Sequence, residues 1–199
     1  MTKDWNTVEY ECYQTIDKNN RYRQMKKILT VLFFIGISST TFAQTEAYKK
    51  AVKKCIESNG TISYYEDVVD QMYVMLEKQF ESKEVPASVW EEIKKGKAAA
   101  MEDLANMIVS AYQGYFTIKD VRKMNALYKT EAGKNMFKKD VLSEEDKIVL
   151  NEFYQSETGQ KIVSSQDDMN ASMSKISETW SGNLYKNVIE RLSIKGYNL

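Results

Sequence analysis

Residues 116–136 read FTIKDVRKMNALYKTEAGKNM, and residues 142–162 read LSEEDKIVLNEFYQSETGQKI. The two stretches align without a gap at a separation of 26. Asp120 matches Asp146, Asn125 matches Asn151, Tyr128 matches Tyr154, Glu131 matches Glu157 and Gly133 matches Gly159. Ordinary composition gives about one identity by chance in such a pair. The conservative pairs agree as well: Phe116 with Leu142, Thr117 with Ser143, Met124 with Leu150, Thr130 with Ser156. This reads as an internal repeat of two units, which falls short of a solenoid.

Each unit has a physical grammar. Thr117 or Ser143 is placed to cap a helix, and Asp120 or Asp146 three residues on completes a capping-box pattern. An apolar face follows, with Val121, Met124 and Tyr128 in the first unit and Leu150, Phe153 and Tyr154 in the second. Thr130 or Ser156 is a second capping residue. Glu131 or Glu157 comes next, at a first helical position where a negative charge meets the helix dipole favourably. The expectation is a capped helix, a sharp break and a second capped helix. Gly133 and Gly159 then fall in the first turn of the second helix, where a missing side chain permits close approach to the helix before it. The competing reading makes each glycine the end of the first helix.

Outward from the repeat, the chain reads as all-α, a compact bundle of about six to seven helices. Lys, Glu, Met, Ala, Gln and Leu dominate, and these are helix formers. A helix over 46–57 puts Tyr48, Val52, Cys55 and Ile56 on one face and ends at Asn59-Gly60. A helix over 62–82 carries Tyr65, Val68, Met72, Met75, Leu76 and Phe80 at spacings of three and four. Val85-Pro86 is a break. A helix over 87–114 carries Ile93, Leu104, Ile108, Ala111 and Tyr112, with a bend at Gly96. A last long helix runs from Glu157 to about Ile194, with Ile176, Trp180, Leu184 and Val188 on its apolar side.

The N-terminal part belongs to a different class. Met25 opens MKKILTVLFFIGISSTTFAQ: two lysines, an apolar run of ten from Ile28 to Ile37, then small polar residues ending in Thr41 and Ala43. That order is a secretory signal peptide. A membrane span needs about 20 apolar residues, so cleavage between Ala43 and Gln44 is expected over retention as an anchor. Residues 1–24 are polar, lack apolar periodicity and precede a complete signal, and are read as lying upstream of the true translation start. The mature stretch is then 44–199, one domain, located in the periplasm or outside the cell.

Composition excludes several function classes. Residues 1–43 hold six of the 28 basic and four of the 28 acidic side chains, so the mature stretch has a net charge of −2. There is no basic stripe for a nucleic acid and no second apolar stretch long enough to span a bilayer. The chain has no histidine, which removes the commonest general base and every imidazole metal site. Cys55 is the only cysteine after Gln44, so no intramolecular disulfide can form in the mature stretch. No catalytic set, metal site or cofactor is implied. Of the carboxylates, Glu66, Asp67 and Asp70, then Glu144, Glu145 and Asp146, then Asp167 and Asp168 form local groups. Each reads as a solvated face or a charged first turn. Lys49, Lys50, Lys53 and Lys54 read as a solvated helix face beside an apolar stripe.

An aromatic followed by FT or LS, an acid three residues later, and then YKTEAGK or FYQSETGQK resembles the pattern of the domain of unknown function 2059 family. VPASVW and AYQGYFT, in the stretch Val85 to Phe116, are similar to that family too, so the likeness covers about 60–175. Family members often carry proline after the Ser or Thr, where this chain has Glu131 and Glu157. The resemblance implies an exported helical domain and supplies no catalytic residues. Together these features lead to a non-enzymatic module of the bacterial cell envelope that binds an envelope protein, peptide or lipid. The alternative is a carrier of a small apolar ligand or lipid in a cavity between helices.

Overall fold

The structure, a computed structural model, describes residues 45–138 and 142–198. The expected signal peptide, the cleavage pair Ala43 and Gln44, and residues 1–24 lie outside the described residues. Chain contacts set residues 1–47 apart from 48–199, and of the former only 45–47 are described, in helix. The second unit is all-helical. Helix α1 (45–58) is followed by α2 (Thr61–Gln79), a 3-10 turn (Glu81–Lys83), α3 (Ala87–Lys94), α4 (Lys97–Gln113), α5 (Ile118–Leu127), α6 (Glu131–Asn135), α7 (Glu144–Gln155), α8 (Glu157–Ser164) and α9 (Gln166–Ile194).

Two breaks raise the helix number above the six or seven expected. The expected helix over 87–114 divides at Lys95-Gly96. There the guanidinium of Arg191 donates to the carbonyls of Ile93 and Glu92, each at 3.1 Å, in addition to the bond that Ile93 accepts from the Gly96 amide. The expected helix from Glu157 divides at Ser165. The hydroxyls of Ser164 and Ser165 both donate to the Lys161 carbonyl, at 3.2 and 2.7 Å. Serine competes with the helical backbone in this way. Beyond the break α9 runs unbroken through Gly182.

The main core lies between α1, α2, α4, α5 and α9. Val52, Cys55, Leu76, Leu104, Ile108 and Leu192 are among its fully enclosed side chains. The face expected on α1 is the face buried: Tyr48, Val52, Cys55 and Ile56. On α2 the register differs from expectation. Tyr65, Val69, Tyr73, Leu76 and Phe80 are buried, Val68 and Met72 are only half-buried, and Met75 is 52% exposed. Adjacent apolar pairs at 68–69 and 72–73 leave the spacing rule two nearly equal faces, and packing on α4 selects one.

Directed hydrogen bonds hold the layers in register. The Tyr48 hydroxyl donates to the Phe116 carbonyl at 2.9 Å, and the Asn125 amide donates to the Ala51 carbonyl at 2.8 Å. The first ties α1 to the link between α4 and α5, and the second ties it to α5 itself. The Trp180 indole donates to the Ala100 carbonyl at 2.8 Å, joining α9 to α4. Asn151, the sequence counterpart of Asn125, is exposed. A smaller apolar cluster of Leu127, Ala132 and Leu150 lies beneath α6 and α7.

Candidate functional site

The residues singled out in the sequence converge on two helix-to-helix joints. At the first, the Thr130 hydroxyl donates to the Leu127 carbonyl at 2.7 Å and accepts from the Gly133 amide at 3.0 Å. At the second, the Ser156 hydroxyl donates to the Phe153 carbonyl at 2.6 Å and accepts from the Gly159 amide at 3.2 Å. One hydroxyl thus serves the last turn of one helix and the first turn of the next: it adds a second bond to a carbonyl that already accepts the Thr130 or Ser156 amide, and it satisfies an amide of the first turn that would otherwise lack a partner. The glycines lie inside the second helices, α6 and α8. A Cβ on Gly133 would stand 2.0 Å from the Leu127 carbonyl oxygen, and one on Gly159 would stand 2.3 Å from that of Phe153. The close approach requires glycine at both positions.

The joints also reach across to each other. Asp120, on α5, is buried and completes a reciprocal capping box with Thr117. Its carboxylate accepts from the Thr117 amide at 3.0 Å and hydroxyl at 2.7 Å, from the Thr158 hydroxyl at 2.8 Å and from the Lys161 ammonium at 3.0 Å. Thr158 is fully enclosed. Burial alone would raise the Asp120 pKa, but the bonds from Thr117, Lys161 and Thr158 outweigh it and hold the carboxyl well below the usual range. Ser143 caps α7 by accepting from the Asp146 amide at 3.0 Å. The Asp146 carboxylate does not return that bond to complete a box. It accepts instead from Asn135 of α6, at 2.9 Å. Asn135 and Lys161 are the aligned positions of the two units. Asp120 of α5 thus docks on α8 and Asp146 of α7 on α6, and α5 packs on α8 as α6 packs on α7.

Clefts open on the surface of the described residues, and α9 borders two of them. One, with a volume of about 300 Å³, lies between the joints and the start of α9. Tyr128 and Tyr154, the aligned tyrosines, line it together with Tyr112, Phe116, Met124 and Met169. Tyr112 and Tyr128 are half-buried and pack against the main core. Burial pushes the Cys55 thiol up to about 12, moderated by the bond to Tyr112, so it stays protonated and unreactive. Burial lifts both tyrosines well above their ordinary value.

The other cleft is a groove of about 450 Å³ between α4 and α9. Tyr73, Ile93, Ala100, Trp180, Leu184 and Val188 form its apolar floor, and Asp103, Asn183 and Asn187 stand at its edge. Asp103, Asn183 and Asn187 are all exposed.

The remaining charged groups found in the sequence are not brought together as a reacting set. Asp70 pairs with Lys97 at 2.7 Å, Glu144 with Lys147 at 2.6 Å, and Lys53 with Glu102. Among the described residues no three or more acidic or cysteine side chains gather as a metal ion would need, and no helix is long and apolar enough to cross a membrane. Thr158 and Lys161 are site residues that sequence reasoning missed. Thr158 aligns with Ala132 and Lys161 with Asn135, so the repeat itself carries no signal for them.

No family model, curated protein or solved structure matches the chain.

Proposed function

We propose that the chain is a non-catalytic binding module, exported from the cytoplasm, that holds an extended segment of a partner polypeptide along the α4–α9 groove. The observation that carries this reading is the row of exposed polar side chains beside the apolar floor. Asn183 and Asn187 are one helical turn apart, about 6 Å along the axis. Alternate residues of an extended chain are about 6.6 Å apart. Each carboxamide can both donate to and accept from a peptide group, so the pair can meet successive inward-facing peptide units of one strand. Asp103 adds an acceptor on the facing helix. From Gly96 to Met107 the groove follows α4 for about 16 Å, which matches about five residues of extended chain.

Export rests on the basic, apolar and small-residue segments of 25–43. The likeness to the domain of unknown function 2059 family, whose pattern implies an exported helical domain, supports the same reading. The non-catalytic part is supported by the absence of histidine from the sequence, by the protonated state of Cys55 and by the full engagement of Asp120.

A random-peptide display library selected on the folded protein, with Asn183→Ala/Asn187→Ala as the counter-target, tests the proposal. Both side chains are exposed inside α9 and alanine is the better helix former, so the variant should unfold at no lower a urea concentration than the wild type. Two lost hydrogen bonds correspond to roughly a tenfold or greater loss of affinity. Enriched peptides should show that loss. A selection in which no enriched peptide distinguishes the two proteins would overturn the reading.

A further inference from the structure

We infer that the cleft between the two joints is a binding site for a small, uncharged aromatic molecule. This site is separate from the α4–α9 groove, and its ligand is of a different chemical class.

Its volume, about 300 Å³, stands at the lower end of the range of small-molecule sites. Charged residues make up 28% of the chain, yet none lines this cleft. An ionised ligand entering it would lose water and meet no counter-charge, at considerable cost. A carboxylate or phosphate headgroup is disfavoured on that ground. The walls select for aromatic character. Four ring side chains, Tyr112, Phe116, Tyr128 and Tyr154, line the cleft, and the rings of Tyr112 and Phe116 already pack together with centroids 5.5 Å apart. Aromatic pairs gain about 0.5–1.5 kcal/mol beyond area burial through edge and offset contacts. Met124 and Met169 add polarizable sulfur, which adapts to an aromatic guest.

The mouth supplies a polar end. Gln166 and Asn170 lie one turn apart at the start of α9, exposed, and their carboxamides can address a single hydroxyl or carbonyl on the ligand. Tyr128 and Tyr154, each just before one of the two joints, meet in this one cleft.

Two fluorescent probes of similar ring size test this: neutral N-phenyl-1-naphthylamine and anionic 8-anilino-1-naphthalenesulfonate, each titrated into the full chain. The neutral probe should bind saturably, one per chain. Val163→Trp, at a position 53% exposed on the cleft wall, should weaken that binding at least about tenfold, equivalent to 1.4 kcal/mol. The sulfonate should show no saturable binding that Val163→Trp alters. In the wild type the neutral probe should also shift the methyl resonances of Met124 and Met169 and leave that of Met75, exposed on α2, in place. Asn183→Ala/Asn187→Ala should leave probe binding unchanged, which separates failure of this site from failure of the groove. Unsaturable binding, equal binding of the sulfonate, or Met124 and Met169 resonances that do not move would each overturn the inference.

Discussion

Replacing Gly159 with alanine is expected to destabilise the protein by about 3 kcal/mol, the upper end of the usual cost of forcing atoms into a packed site. Inside an ordinary helix the same change stabilises by about 1 kcal/mol, so the expected sign is reversed. The reason is geometric. The added carbon would lie 2.3 Å from the Phe153 carbonyl oxygen, 2.4 Å from the Tyr154 Cα and 2.7 Å from the Tyr154 carbonyl oxygen. All three are backbone atoms at the end of α7, so no side chain can swing aside. The joint must open, and the bonds of Ser156 to Phe153 and Gly159 open with it. Gly182 is the internal control. A Cβ there meets nothing within 4 Å, and Gly182→Ala should stabilise by up to about 1 kcal/mol. Urea denaturation of the two variants should move the midpoint in opposite directions. Equal shifts would show that Gly159 has no close helix contact.

Removing the Asp120 carboxylate is the second large effect. Asp120→Ala leaves the enclosed Thr158 hydroxyl without an acceptor, at about 1–3 kcal/mol, and removes the bond that the Thr117 amide donates to the carboxylate, worth about 1 kcal/mol. Lys161 is 37% exposed and recovers water, so its loss adds little. The expected total is about 3 kcal/mol. The pH dependence has a definite sign. The folded carboxyl has a lowered pKa, so its contribution is fully present above the unfolded value near 4 and is lost as pH falls through the folded value. Wild-type stability should drop progressively below about pH 4. Asp120→Asn keeps the shape without the titrating group, so the difference between it and the wild type should shrink as the solution is acidified. A difference that stays constant down to pH 2 would remove Asp120 from the acid response.

Local features of this fold were readable in the sequence because their causes are local. The hydroxyls at 117, 130, 143 and 156 cap helices within three residues of themselves, and the α1 face follows a single apolar stripe. Features set by distant partners were not readable. The α2 register depends on what α4 presents. The end of α3 depends on Arg191, nearly one hundred residues away. The Asp146 side chain appeared equivalent to that of Asp120, yet it bonds to Asn135 instead of its own cap, because the neighbouring helix offers an amide where the other joint offers a threonine and a lysine. The clefts are more remote still. Tyr128 and Tyr154 stood out as an aligned pair, but nothing in their spacing showed that Met124 and Met169 would join them.

The stretch NEFYQSETGQKI, residues 151–162, carries the hydroxyl of Ser156 three residues before Gly159. In the structure that hydroxyl is already committed on both sides, to Phe153 and to Gly159. The joints are structural locks, and any ligand or partner meets the surfaces that they position. The lock across the two units runs through Asp120 and Thr158, and a double-mutant cycle measures it. Urea denaturation of the wild type, Asp120→Ala, Thr158→Val and the double variant should give a coupling energy of about 1 kcal/mol or more. Single effects that add to within about 0.3 kcal/mol would contradict a lock between the two helix pairs.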